Sequence, residues 1–237
     1  MPSEIIFLDS IHNGTSIETQ WTYKGAATEA PAIIIAHPYG PLGGNFHNNV
    51  VMALHQLCAD NGFLAVSINF RGCGHSKGKP SWTGMPERGD YQSVVDAVTQ
   101  PTEKTQQFPR ARQLVICGYS FGAMVASSID VVENIPCSYL LISYPLSVTW
   151  ALATVKTGYF RTRATALLQQ RENDVLVIFG SNDQFTGKGS YEKWLQHKSE
   201  RVRTVLVPGA DHFWMATEPQ DQLVRAVNDW LSRTIKS

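Results

Sequence analysis

The chain has 237 residues, 43% of them hydrophobic and 17% charged, with twenty Lys and Arg balanced by twenty Asp and Glu. That length and composition fit one globular α/β domain spanning 1–237 with a sizeable core. A net charge of zero removes the bulk attraction that draws a protein to nucleic acid or to an anionic membrane, which leaves a small molecule as the expected partner of a monomer or homodimer.

At the N-terminus, Glu4 and Asp9 flank a very short apolar run with no basic segment before it, which predicts a strand rather than an export signal and so a cytoplasmic protein. Segments 4–9 and 17–24 flank the turn-rich His12-Asn13-Gly14, which predicts an antiparallel pair. Beyond Gly25 the pattern changes to short continuous apolar runs at 32–36, 63–70, 114–117, 139–143, 175–179 and 202–207, as parallel strands covered on both faces require. None approaches the roughly 20 apolar residues that cross a bilayer, so no membrane insertion is expected.

Helical patterns lie between these runs. Val50, Val51, Leu54, Leu57 and Cys58 share one face, as do Tyr91, Val94, Val95 and Val98 behind Asp90, an N-cap candidate. Thr217-Glu218-Pro219-Gln220 reads as a capping box that opens a last helix with Leu223, Val224, Val227, Trp230 and Leu231 on one side. The alternation predicts a mostly parallel, eight-stranded α/β sheet with helices on both faces. Residues 147–173 interrupt it and are the place for a small cap. Cys58, Cys73, Cys117 and Cys137 lack paired spacing, and His47 and His55 lack an i, i+4 relation or acidic neighbours. No metal and no cofactor are expected, and the cysteines read as free thiols.

The sharpest chemical signal is Gly118-Tyr119-Ser120-Phe121-Gly122, set between the apolar run 114–117 and a helical stretch from Ala123 to Ile129. Strand, tight turn and helix together present a serine hydroxyl above a sheet. A serine needs a base to become nucleophilic, and the base needs a group that fixes its tautomer. In a parallel sheet those partners sit at the C-terminal ends of other strands. Asp183 follows the run 175–179 and His212 follows 202–207, in the chain order Ser, Asp, His. Asp211 competes with Asp183, but a residue adjacent to the histidine in sequence points away from it. An oxyanion needs two donors. The Phe121 N–H is one; the other lies in His37-Pro38-Tyr39-Gly40-Pro41-Leu42-Gly43-Gly44, where Pro38 has no N–H and Tyr39 offers a backbone N–H or a phenol.

With these four segments the chain resembles the α/β-hydrolase superfamily, in particular its small serine hydrolases, esterases and serine aminopeptidases, that carry HPxPxxGG after the third strand and RGxGxSxG after the fourth. Here the second motif is Arg71-Gly72-Cys73-Gly74-His75-Ser76-Lys77-Gly78. The resemblance spans nearly the whole chain. It implies Ser120 as nucleophile, Asp183 as acid, His212 as base, and Tyr39 with Phe121 as the oxyanion hole. The His-Pro-Tyr stretch is also similar to the Asn-Pro-Tyr of cocaine-esterase-like and X-Pro peptidase hydrolases, where a tyrosine hydroxyl donates.

The expected activity is cleavage of a small ester, thioester or amide through an acyl-enzyme on Ser120. A lyase or cyclase using His212 as base, or a non-catalytic binder, would share the scaffold. Gly40, Trp82, Trp150, Phe213 and Trp214 are the residues expected to line the substrate pocket, and 71–78 is expected to form a turn at its rim.

Overall fold

The computed structural model describes residues 3–130 and 132–235. The chain opens with β1 (Glu4–Asp9) and β2 (Ser16–Thr22), paired antiparallel across a turn in which Gly14 takes a φ of 71° and donates its N–H to the Ser10 carbonyl at 2.7 Å. From β3 (Glu29–Ala36) onward strands and helices alternate: α1 (Asn49–Asp60), β4 (Leu64–Ile68), α2 (Met85–Thr99), β5 (Arg110–Tyr119), α3 (Phe121–Ala126) and β6 (Cys137–Ile142). There follow α4 (Thr149–Ala153), α5 (Thr157–Gln169), β7 (Asp174–Asn182), α6 (Lys188–Trp194), β8 (Val202–Asp211) and α7 (Thr217–Thr234). All eight strands form one sheet in the order β1-β2-β4-β3-β5-β6-β7-β8. The pair β2–β4 is antiparallel and every pair from β4–β3 to β7–β8 is parallel, the mostly parallel α/β sheet that the apolar runs predict.

The unbroken apolar runs follow from burial on two sides. On β3, Ala32, Ile34 and Ala36 join the core under α2, α3 and α5, while Ile33 and Ile35 join the core under α1 and α7. On β5 the same division separates Leu114 and Ile116 from Val115 and Cys117. Each face is closed by a helical stripe: Tyr91, Val94, Val95 and Val98 of α2 on one, Leu223, Val227, Trp230 and Leu231 of α7 on the other. All four cysteines are buried free thiols, and burial pushes that of Cys58 up to about 12. Among the described residues no helix is long and apolar enough to cross a membrane.

Two helix starts differ from the sequence expectation. Asp90 does not cap α2; the helix begins a turn earlier, after Gly84 with a φ of 70°, and Pro86 occupies its first turn, where a missing N–H is harmless. Asp90 is instead fully buried and accepts from Arg71 at Nε (3.0 Å), at Nη2 (2.6 Å) and at the backbone N–H (3.2 Å). At α7 the capping box does not form: Ala216 is the N-cap, Thr217 lies inside the helix, and the N-cap residue makes no side-chain hydrogen bond. Arg71 reaches on to Ser10 Oγ at 3.2 Å, and Glu18 of β2 accepts from the His75 N–H at 2.7 Å, so loop 71–78 is clamped to the β1–β2 hairpin and α2.

Two histidines are packed in the neutral form. His37 donates from Nδ1 to the Pro38 carbonyl at 2.5 Å and accepts the Phe70 N–H on Nε2 at 3.0 Å, so a second ring proton would face a donor. His55 lies between Ser67 Oγ and Thr22 Oγ1, each at 2.8 Å. Burial lowers both from 6.5 to about 4. Between those values the unfolded chain binds protons that the folded one refuses, so folding stability is retained above pH 6.5 and falls as pH drops from 6.5 towards 4, by up to about 1.4 kcal/mol per pH unit for each ring. Urea unfolding measured across this range should show that slope, and His55→Gln should remove about half of it.

Candidate active site

β5 ends at Tyr119 and α3 starts at Phe121, which leaves Ser120 as the whole turn between them. Its φ of 56° and ψ of −116° are values a residue with a Cβ holds only under constraint. The constraint is local. The Ser120 N–H donates to the Ile142 carbonyl at 2.8 Å, and its carbonyl accepts from Ala123 N at 2.9 Å and Met124 N at 3.1 Å. A Cβ on Gly118 would overlap the Gly122 carbonyl, and one on Gly122 would overlap the Ala36 carbonyl at the end of β3. Both glycines are therefore contact points of strand and helix backbone.

The Ser120 hydroxyl lies 2.9 Å from His212 Nε2, and His212 Nδ1 lies 2.8 Å from Asp183 Oδ2. Their exposures are 6%, 3% and 7%, so all three are largely buried although Ser120 and His212 still face the cavity. The second oxygen of Asp183 accepts from the N–H groups of Phe185 and Thr186, each at 2.9 Å. A carboxylate only accepts, so the His212 proton sits on Nδ1 and Nε2 is left to accept from the serine. Asp211 faces elsewhere, its Oδ1 accepting from Met215 N at 3.3 Å.

Several elements hold the histidine loop. The Tyr119 hydroxyl donates to the His212 carbonyl at 2.5 Å, and the His212 N–H donates to Gln184 Oε1 at 2.9 Å. The Trp214 indole donates to Ser143 Oγ at 3.0 Å, and the Asn49 amide donates to the Trp214 carbonyl at 2.9 Å. The Phe185 ring stands edge-on to the imidazole at 4.5 Å.

On the other side of Ser120, Tyr39 begins a tight 3-10 turn (Gly40–Leu42), and its carbonyl accepts from Leu42 N at 3.1 Å and Gly44 N at 3.2 Å. Its ring rests against that of Phe121, with centroids 5.4 Å apart. Burial, and after it the Glu87 carboxylate, raises the phenol above its ordinary value. Among the described residues, neither the N–H of Tyr39 nor that of Phe121 has a protein acceptor.

A cavity of about 110 Å³ opens beside Ser120 and His212, walled by Tyr39, Leu42, Val148, Leu152, Phe185 and Phe213. Of the residues expected to line the pocket, Phe213 does so and the others do not. Trp214 is completely buried in the core between α1, α7 and the sheet, because its indole turns inward to Ser143. Gly40 faces the Cys73 sulfur, which a Cβ would overlap. Trp82 and Trp150 point to solvent with exposures of 73% and 66%. Trp150 is two residues from both Val148 and Leu152, which places it on the opposite side of α4. Loop 71–78 stays outside the cavity and supports the Tyr39 turn from below through Cys73. Residues 147–173 form α4, a 3-10 turn and α5, and contribute Val148 and Leu152 to the wall. Tyr119, Gln184, Phe185, Val148 and Leu152 had no signal of their own in the sequence, since they depend on loop path and not on periodicity. Among the described residues no group of three or more His, Cys, Asp or Glu is arranged to hold a metal ion.

The sequence pattern of the X-Pro dipeptidyl-peptidase (S15) family matches residues 14–164, more than half of the chain. An uncharacterized protein of Rickettsia prowazekii is 28% identical over 212 residues, covering 88% of this chain and 81% of its own. Among solved structures, an α/β serine hydrolase without a lid from Xanthomonas campestris superposes with a TM-score of 0.75 at 21% identity, covering all of this chain and 98% of that one. An esterase from Pyrococcus furiosus gives a TM-score of 0.77 at 16% identity, with 99% and 93% covered. At such identities the two structures share the fold with this chain.

The contact at Gly122 generates a test. Gly122→Ala must push the turn away from β3, at an expected cost of about 2 kcal/mol or more of folding stability, readable as a lowered Tm or urea midpoint.

Proposed function

This chain belongs to the X-Pro dipeptidyl-peptidase (S15) family of α/β hydrolases, and from that membership we propose that it is a cytoplasmic serine hydrolase cleaving a small ester, thioester or amide. One observation carries the reading: a buried imidazole is hydrogen-bonded at once to a strained serine hydroxyl and to a carboxylate that two backbone N–H groups hold in place.

In the reaction, Ser120 Oγ attacks the substrate carbonyl as His212 Nε2 takes its proton. The imidazolium that results keeps its Nδ1–H on Asp183 Oδ2, which stabilises the positive charge without accepting the proton. Negative charge develops on the carbonyl oxygen between β3 and α3. The Tyr39 and Phe121 backbone N–H groups receive it, because the Tyr39 peptide is fixed by the turn at 40–44 and both donors lack other acceptors among the described residues. His212 then returns its proton to the leaving group, and water, activated by the same ring, releases the acyl group from Ser120. The α4–α5 segment acts as a small cap over one side of the cavity. Nothing in the cycle calls for a metal or an organic cofactor.

Two variants test the scheme. Ser120→Ala should abolish fluorophosphonate labelling and lower kcat/KM on activated esters by at least about a thousandfold; labelling that survives would overturn the assignment. Tyr39→Phe keeps the backbone donor and should stay within about threefold of wild type, whereas a loss of about a hundredfold would move the donor to the phenol.

A further inference from the structure

Resting on the hydrolase reading above, we infer that the acyl group this enzyme accepts is short and uncharged, so that its substrates are esters of small neutral acids and not peptides with a free N-terminal amine. The cavity beside Ser120 measures about 110 Å³, less than the roughly 150 Å³ of an engineered apolar cavity that takes a single benzene ring. Its wall beyond the reacting groups is apolar: Leu42, Val148, Leu152, Phe185 and Phe213, with the Tyr39 and Tyr119 rings. The polar side chains in the wall are neutral: the Tyr119 hydroxyl donates to the His212 carbonyl, Asn48 Oδ1 accepts from the Val50 N–H at 3.1 Å, and Tyr39 carries a phenol.

A dipeptidyl-peptidase has to hold the ammonium at the N-terminus of its substrate, and a buried ammonium needs a carboxylate or a set of acceptors. Of the carboxylates around this cavity, Asp183 has its oxygens taken by His212, Phe185 and Thr186, and Glu87, whose charge reaches the Tyr39 phenol, has both of its oxygens accepting from Ser81. The two residues that cap the space, Val148 and Leu152, belong to the α4 segment, and Leu42 closes the opposite rim with 75% of its surface exposed. An ammonium entering here would lose its water and meet no free carboxylate, while a methyl or ethyl group would fill the space.

Two substrate series on the intact protein test this. The first is the p-nitrophenyl esters from acetate to octanoate. Activity should peak at acetate to butyrate and fall at least about tenfold by octanoate, the scale on which a hydrophobic pocket separates chains differing by methylenes. Leu42→Ala, at an exposed position, should raise octanoate relative to butyrate severalfold; Leu152→Ala should do so more strongly, with circular dichroism confirming its fold. The second series is the isosteric pair phenyl isobutyrate and phenyl alaninate, which exchange a methyl for an ammonium. Isobutyrate should be preferred by roughly a hundredfold at pH 7, and alanyl-prolyl p-nitroanilide should not be cleaved above the Ser120→Ala background.

Alaninate turned over as fast as isobutyrate, cleavage of the prolyl anilide, or octanoate hydrolysed as fast as butyrate in the wild type would overturn the inference while leaving the hydrolase reading intact. Residual activity of Ser120→Ala on every ester would instead count against that reading, independently of acyl preference.

Discussion

The structure turns on one strained residue. Ser120 occupies a backbone conformation that an L-residue avoids, at a cost of order 1–3 kcal/mol, and it does so because the strand before it and the helix after it are pressed together through Gly118 and Gly122. The compensation comes from the sheet: β5 lies at its centre, with β3 on one side and β6 on the other, and most of its side chains are buried. A central parallel strand cannot slide to relieve a bad turn at its end without breaking pairing on both sides. Tension at the turn is thereby converted into a fixed direction for one hydroxyl.

The groups that meet this hydroxyl are placed by the same topology. In a parallel sheet with right-handed crossovers the chain leaves each strand at the same edge, so the loops after β3, β5, β7 and β8 gather there although they lie far apart in sequence. Asp183 is held from its own loop by two backbone donors, and the His212 loop is held at four points, two on His212 and two on Trp214, one of them by the residue directly before the serine. Each position is fixed by hydrogen bonds that do not involve a substrate. The site is thus formed in advance of binding, the arrangement that lowers reorganisation during a reaction.

Much of this was legible in the sequence, for physical reasons that also explain what was not. Continuous apolar runs report strands covered on both sides, which is why the order of elements and the eight-stranded sheet could be read directly. Ser120, Asp183 and His212 follow such runs, so topology alone brings them to one edge. The pocket wall was less legible. Trp214 and Phe213 are neighbours of identical promise, yet one turns into the core and the other faces the cavity, because Trp214 adopts a φ of 54° and reaches Ser143. Asp90 has the composition of a cap and the role of a buried counter-ion, a difference decided by Arg71 nineteen residues away. The wall residues Val148, Leu152 and Phe185 sit in short segments where no periodicity survives to mark a face.

His37 links this edge to acid sensitivity. Its ring stands immediately before the Tyr39 turn and ties the Pro38 carbonyl to the Phe70 N–H, an arrangement only a neutral imidazole can make. Acid therefore acts, among other places, on the turn that carries Tyr39. A ring that gains a proton on Nε2 can no longer accept from Phe70, and the turn at 40–44 then loses one of the ties that hold it beside Ser120.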